Sequence, residues 1–289
     1  MIEQMPATII DGKRLASEEQ ARIADRAAAL RRRGRVPRLD ALLVDSGDNA
    51  ARLYAQNQAR TCERLGIDYQ LHELPRASGL GAICATLDRL DSEASVHAVM
   101  VHLPLPDGVD PYLVQCRIPP AKDVEGVNPA NIGNIVYGHS SWAPCTALAA
   151  VRLIESTGTE LRGKRAVVVG ASNHVGKPIA VLLMRADATV ISANKFTAGL
   201  SDLARSADIL VAAAGVPRLI TPDMVRPGAI VVDVGVNRVE TPDGHKMTVG
   251  DVDFEAVRPI AGYLSPVPGG VGPMTVTVLL GNTVEAAER

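Results

Sequence analysis

Residues 165–185 constrain this chain more than any other stretch. Arg165-Ala-Val-Val-Val169 is a short apolar run that reads as a buried strand, Gly170-Ala-Ser-Asn-His-Val-Gly-Lys-Pro178 is a glycine-bounded turn, and Ile179 to Arg185 reads as a helix. That succession places a phosphate on helix N-terminal amides. The turn departs from the standard Gly-x-Gly-x-x-Gly: Ser172 stands at the second glycine and Val175 at the third, with Gly176 displaced by one. Three more strands follow with helical stretches between them, Ala188-Thr-Val-Ile191, Ile209-Leu-Val-Ala-Ala213 and Ala229-Ile-Val-Val-Asp233. Together they predict a doubly wound parallel sheet that binds a dinucleotide.

In such a domain the end of the second strand selects the cofactor. A carboxylate there suits the ribose hydroxyls of NAD, and a cation suits the 2′-phosphate of NADP. Here the sequence is Ser192-Ala-Asn-Lys195-Phe-Thr, with a lysine and no carboxylate. NADP is therefore the expected cofactor, held through Lys195, unless Lys195 is a plain surface cation.

The first half also alternates β and α. Asp11 to about Arg33 reads as a helix, Leu39–Val44 as a strand, the stretch through Tyr54 and Cys62 to Gly66 as a helix, Asp68–Leu74 as a strand and Leu80–Leu90 as a helix. Tyr54 and Gln58 are four residues apart and share one helix face. A third strand, His97–Leu103, runs into Pro104-Leu-Pro106, which cannot continue a ladder. His102 and Leu103 thus fall at the C-terminal edge of the strand, where open α/β sheets bind ligands. The loop Lys122-Asp-Val-Glu-Gly-Val-Asn-Pro129 brings carboxylates towards the same mouth. Pro144-Cys-Thr146 then opens a helix to about Ser156, with Thr146 suited to its start. The domain junction is placed here, dividing the chain into 1–145 and 146–269, with 270–289 completing the first domain. Near the C-terminus, Ser265-Pro-Val-Pro-Gly-Gly-Val-Gly-Pro-Met-Thr275 packs three prolines and three glycines into eleven residues, ahead of an apolar helical run from Val276. It reads as a shaped loop that lines a cleft with main-chain groups.

Composition narrows the partners. Hydrophobic content of 47% with only 3% aromatic residues suits helices packed on parallel strands, and a net charge of −2 gives no reason to expect nucleic acid or an anionic membrane. The basic run Arg31, Arg32, Arg33 and Arg35 reads as a solvated helix end. Cys62, Cys84, Cys116 and Cys145 contain no Cys-x-x-Cys pair, so neither a metal site nor a disulfide framework is expected. With no signal pattern and no apolar run near about 18 residues, a cytoplasmic protein that does not enter membranes is the expectation.

Several strings then add up. Gly170-Ala-Ser-x-x-Val-Gly-x-Pro178, Val232-Asp-Val-Gly-Val-Asn-Arg238, Gly250-Asp-Val-Asp-Phe254 and Pro266-Val-Pro-Gly-Gly-Val-Gly-Pro-Met-Thr275 closely resemble the bifunctional methylenetetrahydrofolate dehydrogenase/cyclohydrolases. Leu103-Pro-Leu-Pro106, Lys122-Asp-Val-x-Gly126 and Pro144-Cys-Thr146 resemble the same family in the first half. The resemblance implies an N-terminal α/β folate and catalytic domain, a Rossmann-type NADP domain, and a C-terminal helix returning to the first domain. It also implies a homodimer that oxidises 5,10-methylenetetrahydrofolate with NADP and hydrolyses the methenyl product. By motif matching, the nucleotide would meet Thr146, Gly170, Ser172, His174, Val175, Gly176, Lys195, Val236 and Thr275. The tetrahydrofolate derivative would meet Tyr54, His102, Leu103, Glu125, Pro268, Gly269 and Gly272.

The folate side departs from that pattern. The family's Tyr-x-x-x-Lys is Tyr54-Ala-Gln-Asn-Gln58, the Gln before Leu-Pro-Leu-Pro is His102, Lys-Asp-Val-Asp-Gly has Glu125 as its acidic residue, and Ala51 stands where a serine is usual. An amide neither gives nor takes a proton near neutrality. The expectation is an NADP-dependent dehydrogenase with weak or lost cyclohydrolase activity. Two alternatives stay open: a paralog that transfers the methylene unit to another acceptor, and a non-catalytic folate- and NADP-binding subunit. His102 is either a titratable substitute for the lysine or a neutral hydrogen-bonding group.

Overall fold

The computed structural model of the chain describes residues 6–289, apart from Ser46, Asp48, Ser140, Ser141, Thr241 and Pro242 and the side chains of Asn49 and Ala50. In order the elements are β1 (Thr8–Ile9), α1 (Gly12–Arg32), β2 (Arg38–Val44), α2 (Asn49–Leu65), β3 (Asp68–Leu74), α3 (Leu80–Ser92), β4 (Ala98–Val101), α4 (Pro111–Arg117), α5 (Pro129–Tyr137) and α6 (Cys145–Glu155). There follow β5 (Arg165–Val169), α7 (Gly176–Arg185), β6 (Thr189–Ala193), α8 (Leu200–Arg205), β7 (Ile209–Ala212), β8 (Ile230–Asp233), β9 (Asn237–Glu240), β10 (Lys246–Val249), α9 (Phe254–Val257), β11 (Tyr263–Leu264) and α10 (Val271–Glu288). Two compact units result, one of Ser17–Cys145 with Val276–Arg289, the other of the residues through Ala16 with Thr146–Thr275.

The first unit is built on a parallel sheet in the order β3-β2-β4. The central strand is apolar apart from Arg38 at its start and Asp40, which is fully buried and held by two guanidinium N–H bonds from Arg38 at 2.7 and 2.8 Å, with His72 Nε2 at 2.7 Å. Paired and hydrogen-bonded, this carboxylate avoids the cost of an isolated buried charge. Ile83, Leu87 and Leu90 of α3 pack with Leu42, Val99 and Val101 of the sheet. The last half of α10 belongs here too: Asn282 Nδ2 donates to the Val124 carbonyl at 2.8 Å, and Arg26 of α1 pairs with Glu288 at 2.6 Å.

The second unit holds a six-stranded parallel sheet in the order β6-β5-β7-β8-β11-β1. Neighbours of β5 lie one step forward on one side and two steps forward on the other, so the strand order reverses there. The glycine turn follows β5 and therefore leaves the sheet at its switch point, the usual ligand position of such sheets. The N-terminal residues fold with this unit, rather than with residues 17–145, because β1 pairs in parallel with β11.

Local chemistry shifts several boundaries. The helix α7 starts at Gly176, and α10 starts at Val271, so Gly272, Pro273 and Thr275 lie in the first turns of a helix and not in a loop. Proline is tolerated there because its missing N–H had no helical partner. Likewise α6 begins at Cys145, which puts Thr146 inside its first turn. The segments 111–117 and 129–137 are helical because Asp110 and Asn128 cap them, accepting from Tyr112 N–H at 2.9 Å and Ala130 N–H at 2.7 Å, each with a proline next in sequence. Among the described residues no helix is long and apolar enough to cross a membrane.

Candidate active site

The helix α2 turns a buried stripe inward: Ala51, Ala55, Gln58, Cys62 and Leu65 recur at spacings of four and three and are all buried. Gln58 therefore occupies a core position by helical phase. It is 2% exposed, and among the described residues neither its Nε2 nor its Oε1 has a hydrogen-bond partner. Such a pair of orphaned buried atoms is costly. Tyr54, one turn earlier, is 44% exposed, yet the surroundings of its hydroxyl push it up to about 12, mainly by desolvation and further by the Glu125 carboxylate.

His102 follows β4, where its N–H donates to the Leu42 carbonyl at 2.8 Å and extends the sheet pairing by one residue. Its ring meets that of Tyr54 edge-on, centroids 5.8 Å apart, and its Nε2 lies 3.4 Å from the Tyr69 hydroxyl. Desolvation lowers the imidazole to about 4, so His102 is neutral at pH 7. A histidine NMR titration should show this ring neutral down to about pH 4. Because the folded value lies below the ordinary 6.5, the unfolded chain binds more protons between the two, and stability attributable to His102 is lost as pH falls through that window. His102→Gln should remove that part of the acid dependence. Leu103, next in sequence, is 54% exposed beside it.

Glu125 is delivered by a loop that Asp123 organises. The fully buried Asp123 carboxylate accepts from the N–H groups of Gly126, Val127 and Asn128 and from Asn131 Nδ2, at 2.8–3.2 Å. The Lys122 carbonyl accepts from Val99 N–H at 2.8 Å, fastening the loop along β4. Glu125 is half-buried, with no side-chain hydrogen bond among the described residues, and desolvation, with Asp123 adding, pushes its carboxyl up to about 7. Tyr54 thus neighbours both His102 and Glu125, and Gln58 lies one helical turn along α2 from it. Lys122 is not free to join them: its ammonium donates to the carbonyls of Leu90, Asp91 and Glu93 at 2.7–3.0 Å and caps α3.

In the other unit, the turn after β5 is shaped for close backbone approach. Gly170 has φ of +111°, and a Cβ there would stand 2.0 Å from the Ala213 carbonyl oxygen. A Cβ on Gly176 would stand 1.8 Å from Gly170 O. The turn thereby presents exposed Ser172, Asn173 and His174, with half-buried Val175, at the N-terminus of α7. A dinucleotide phosphate fits such a cradle. Lys195 is exposed just after β6, whose register pairs Ala193 with Val169 next to the cradle. Val236, 70% exposed, follows β8. The turn that carries it is knitted by Asp251, which accepts from the N–H groups of Ala214 and Gly215 at 2.6 and 2.8 Å and from Asn237 Nδ2 at 2.8 Å.

Beyond β11, Ser265 is buried and accepts from Asp233 N–H at 2.8 Å. The peptide before Pro268 is cis, Gly269 has φ of +116°, and Gly272 is exposed at the start of α10, where the Thr275 hydroxyl donates to Val271 O at 3.1 Å. Residues 170–176, Lys195, Val236 and the 266–272 segment all leave the C-terminal edge of one parallel sheet. Thr146 is half-buried at the start of α6.

Sequence reading passed over Tyr69, the partner of His102, and Asp123 and Asp251, whose carboxylates hold loops. The signal for the aspartates was present, as acidic residues inside otherwise apolar strings. Tyr69 gave none.

Comparison with known proteins bears on the whole chain. Residues 10–125 match the model of the tetrahydrofolate dehydrogenase/cyclohydrolase catalytic domain, and residues 144–289 that of the NAD(P)-binding domain of the same family. The bifunctional protein FolD of Moorella thermoacetica is 46% identical over 285 residues, covering 99% of this chain and 100% of that protein. The crystal structure of the bifunctional methylenetetrahydrofolate dehydrogenase/cyclohydrolase FolD from Campylobacter jejuni superposes with a TM-score of 0.93 at 39% identity, over 98% of this chain and 99% of the other. The Trypanosoma brucei enzyme, solved with NADP cofactor and inhibitor, gives 0.93 at 35% identity over 99% and 98%.

Proposed function

Because the chain belongs to the tetrahydrofolate dehydrogenase/cyclohydrolase family, we propose that it is an NADP-dependent 5,10-methylenetetrahydrofolate dehydrogenase whose cyclohydrolase half is weak or lost. The observation that carries the second clause is Gln58, a buried amide without partners among the described residues, at the place where the motif it resembles has a lysine. The reading includes a homodimer working in the cytoplasm, for which sedimentation equilibrium should give twice the chain mass.

When bound, NADP supplies the nicotinamide that accepts a hydride. In this reading the turn from Gly170 to Gly176, with Ser172, His174 and Val175, holds the dinucleotide together with Thr146, Val236 and Thr275, and Lys195 takes the 2′-phosphate. Tyr54 and Leu103 line the folate, and Glu125 accepts from the pterin N–H groups. Taking a hydride from the methylene carbon moves no proton, so that half needs holding in place more than acid–base help. Hydrolysis of the methenyl cation adds a water and releases a proton, so that half needs a group able to take one. Tyr54 and Tyr69 are pushed up and His102 is pushed down, all away from neutrality. Glu125 alone in the cluster titrates near pH 7. Folate affinity should therefore weaken as pH falls through about 7 and Glu125 takes up a proton, a dependence that Glu125→Gln should abolish.

The test is an absorbance assay with methylenetetrahydrofolate and NADP that follows reduced nicotinamide and the methenyl chromophore together. Both should appear, with the methenyl species decaying no faster than without protein. Rapid decay would show that the hydrolase half survives. Neither signal, with both ligands bound, would sink the redox reading. The changes at Ala51, Gln58, His102 and Glu125 would then favour methylene transfer to another acceptor, recognised by a methylene adduct formed without NADP turnover.

A further inference from the structure

Phe196 is 84% exposed, in a chain with only two phenylalanines, and no role described so far uses it. It stands in a tight turn directly after β6. Asn194 Oδ1 accepts from Phe196 N–H at 2.9 Å, Asn194 N–H donates to Thr197 Oγ1 at 2.9 Å, and Thr197 N–H donates to the Asn194 carbonyl at 2.9 Å. Those three bonds fix the backbone of Lys195 and Phe196, leaving both side chains exposed. The Lys195 ammonium lies over the Phe196 ring, 5.0 Å from its centroid, and among the described residues it has no ion pair. The turn also neighbours the phosphate cradle, since Ala193 pairs with Val169, the residue before Gly170.

We propose that Phe196 is a positioning residue for cofactor selection, its ring holding the Lys195 ammonium where it meets the 2′-phosphate of NADP. Alone, an exposed lysine would wander over many rotamers and lose that freedom on binding a phosphate. The ring face attracts the cation and restricts it beforehand, and the turn fixes the ring. A solvent-exposed phenylalanine next to the cation that follows β6 is thereby accounted for. The inference rests on NADP as the cofactor.

Calorimetric titration of the full chain with NADP, NAD and 2′,5′-ADP tests it. Phe196→Ala should weaken NADP and 2′,5′-ADP by about two- to five-fold and leave NAD unchanged, and Phe196→Trp should restore the loss. Lys195→Ala should weaken NADP by about tenfold or more and should abolish any further effect of Phe196→Ala in the double variant. Equal weakening of NADP and NAD by Phe196→Ala would overturn the proposal, because the ring would then touch a part common to both. No change with any ligand would overturn it as well. If the wild-type chain binds NAD as tightly as NADP, the cofactor reading itself fails, an outcome distinct from loss of the Phe196 effect alone.

Discussion

Gln58→Lys should raise the hydrolysis of methenyltetrahydrofolate by about 10²- to 10⁴-fold, the usual contribution of a positioned acid or base, with a far smaller change in hydride transfer. The replacement breaks no hydrogen bond among the described residues, because neither amide atom of Gln58 has one there. Burial disfavours an ammonium, so a lysine at this depth would be lowered towards neutrality and would have a base form to offer. Gln58→Met is the matching control. It keeps the length, removes two buried unpartnered polar atoms and should raise the melting temperature, by a free-energy gain of about 1–3 kcal/mol, without any hydrolysis. The readout is the decay of the methenyl absorbance. Unchanged decay in the lysine variant, with folate still bound, would mean that the hydrolytic deficit has another cause.

In that cluster Glu125 is the group pushed to about 7, and the nearby cations are held elsewhere. Lys122 is the sole lysine of residues 17–145 and 276–289, and three carbonyls at the end of α3 hold its ammonium. Arg60, two positions from Gln58, is exposed while Gln58 is buried, as the rotation of about 200° between them along a helix requires. His102 is neutral for the same reason that it is in the cluster at all: it closes the buried end of a strand.

Most of the framework could be read from the sequence because its signals are local. Short strand-like runs separated by helical periods give the seven strands β2 to β8, and the glycine turn after β5 marks the switch point of the larger sheet. What escaped reading depends on contacts between distant residues. The two-residue strands β1 and β11 are too short to carry a period, and they exist because each completes the edge of a sheet begun elsewhere. The helices α4 and α5 hide behind Asp-Pro and Asn-Pro pairs, which signal loops as readily as helix starts. In the site, the sequence names Tyr54, Gln58, His102 and Glu125 one by one, but it cannot tell that Gln58 lacks a partner among the described residues or that His102 has Tyr69. The same composition with Lys122 free would predict a different chemistry, and only its three carbonyl bonds remove it from consideration.

Gly176→Ala should cost about tenfold or more in NADP affinity, together with about 1–3 kcal/mol of stability in the nucleotide-binding unit. The added Cβ would stand 1.8 Å from Gly170 O, 2.7 Å from Gly170 C and 3.1 Å from the Ala171 Cα, all of them backbone atoms that cannot swing aside. Gly170 cannot retreat either, since its φ of +111° and its approach to the Ala213 carbonyl already fix it at the end of β5. The strain must therefore move α7 away from the cradle, and with it the Gly176 N–H that donates to Ser172 Oγ at 3.3 Å. Gly133→Ala separates this from a general effect of replacing glycine. Gly133 lies inside α5 with nothing within 4 Å of where the added methyl group would stand, so the change should gain about 0.5–1 kcal/mol from helix propensity. Calorimetric NADP titration and thermal melting of both variants give the comparison. If Gly176→Ala binds NADP as tightly as the wild-type chain and melts at the same temperature, the close packing of α7 against the turn is not what shapes the cofactor site.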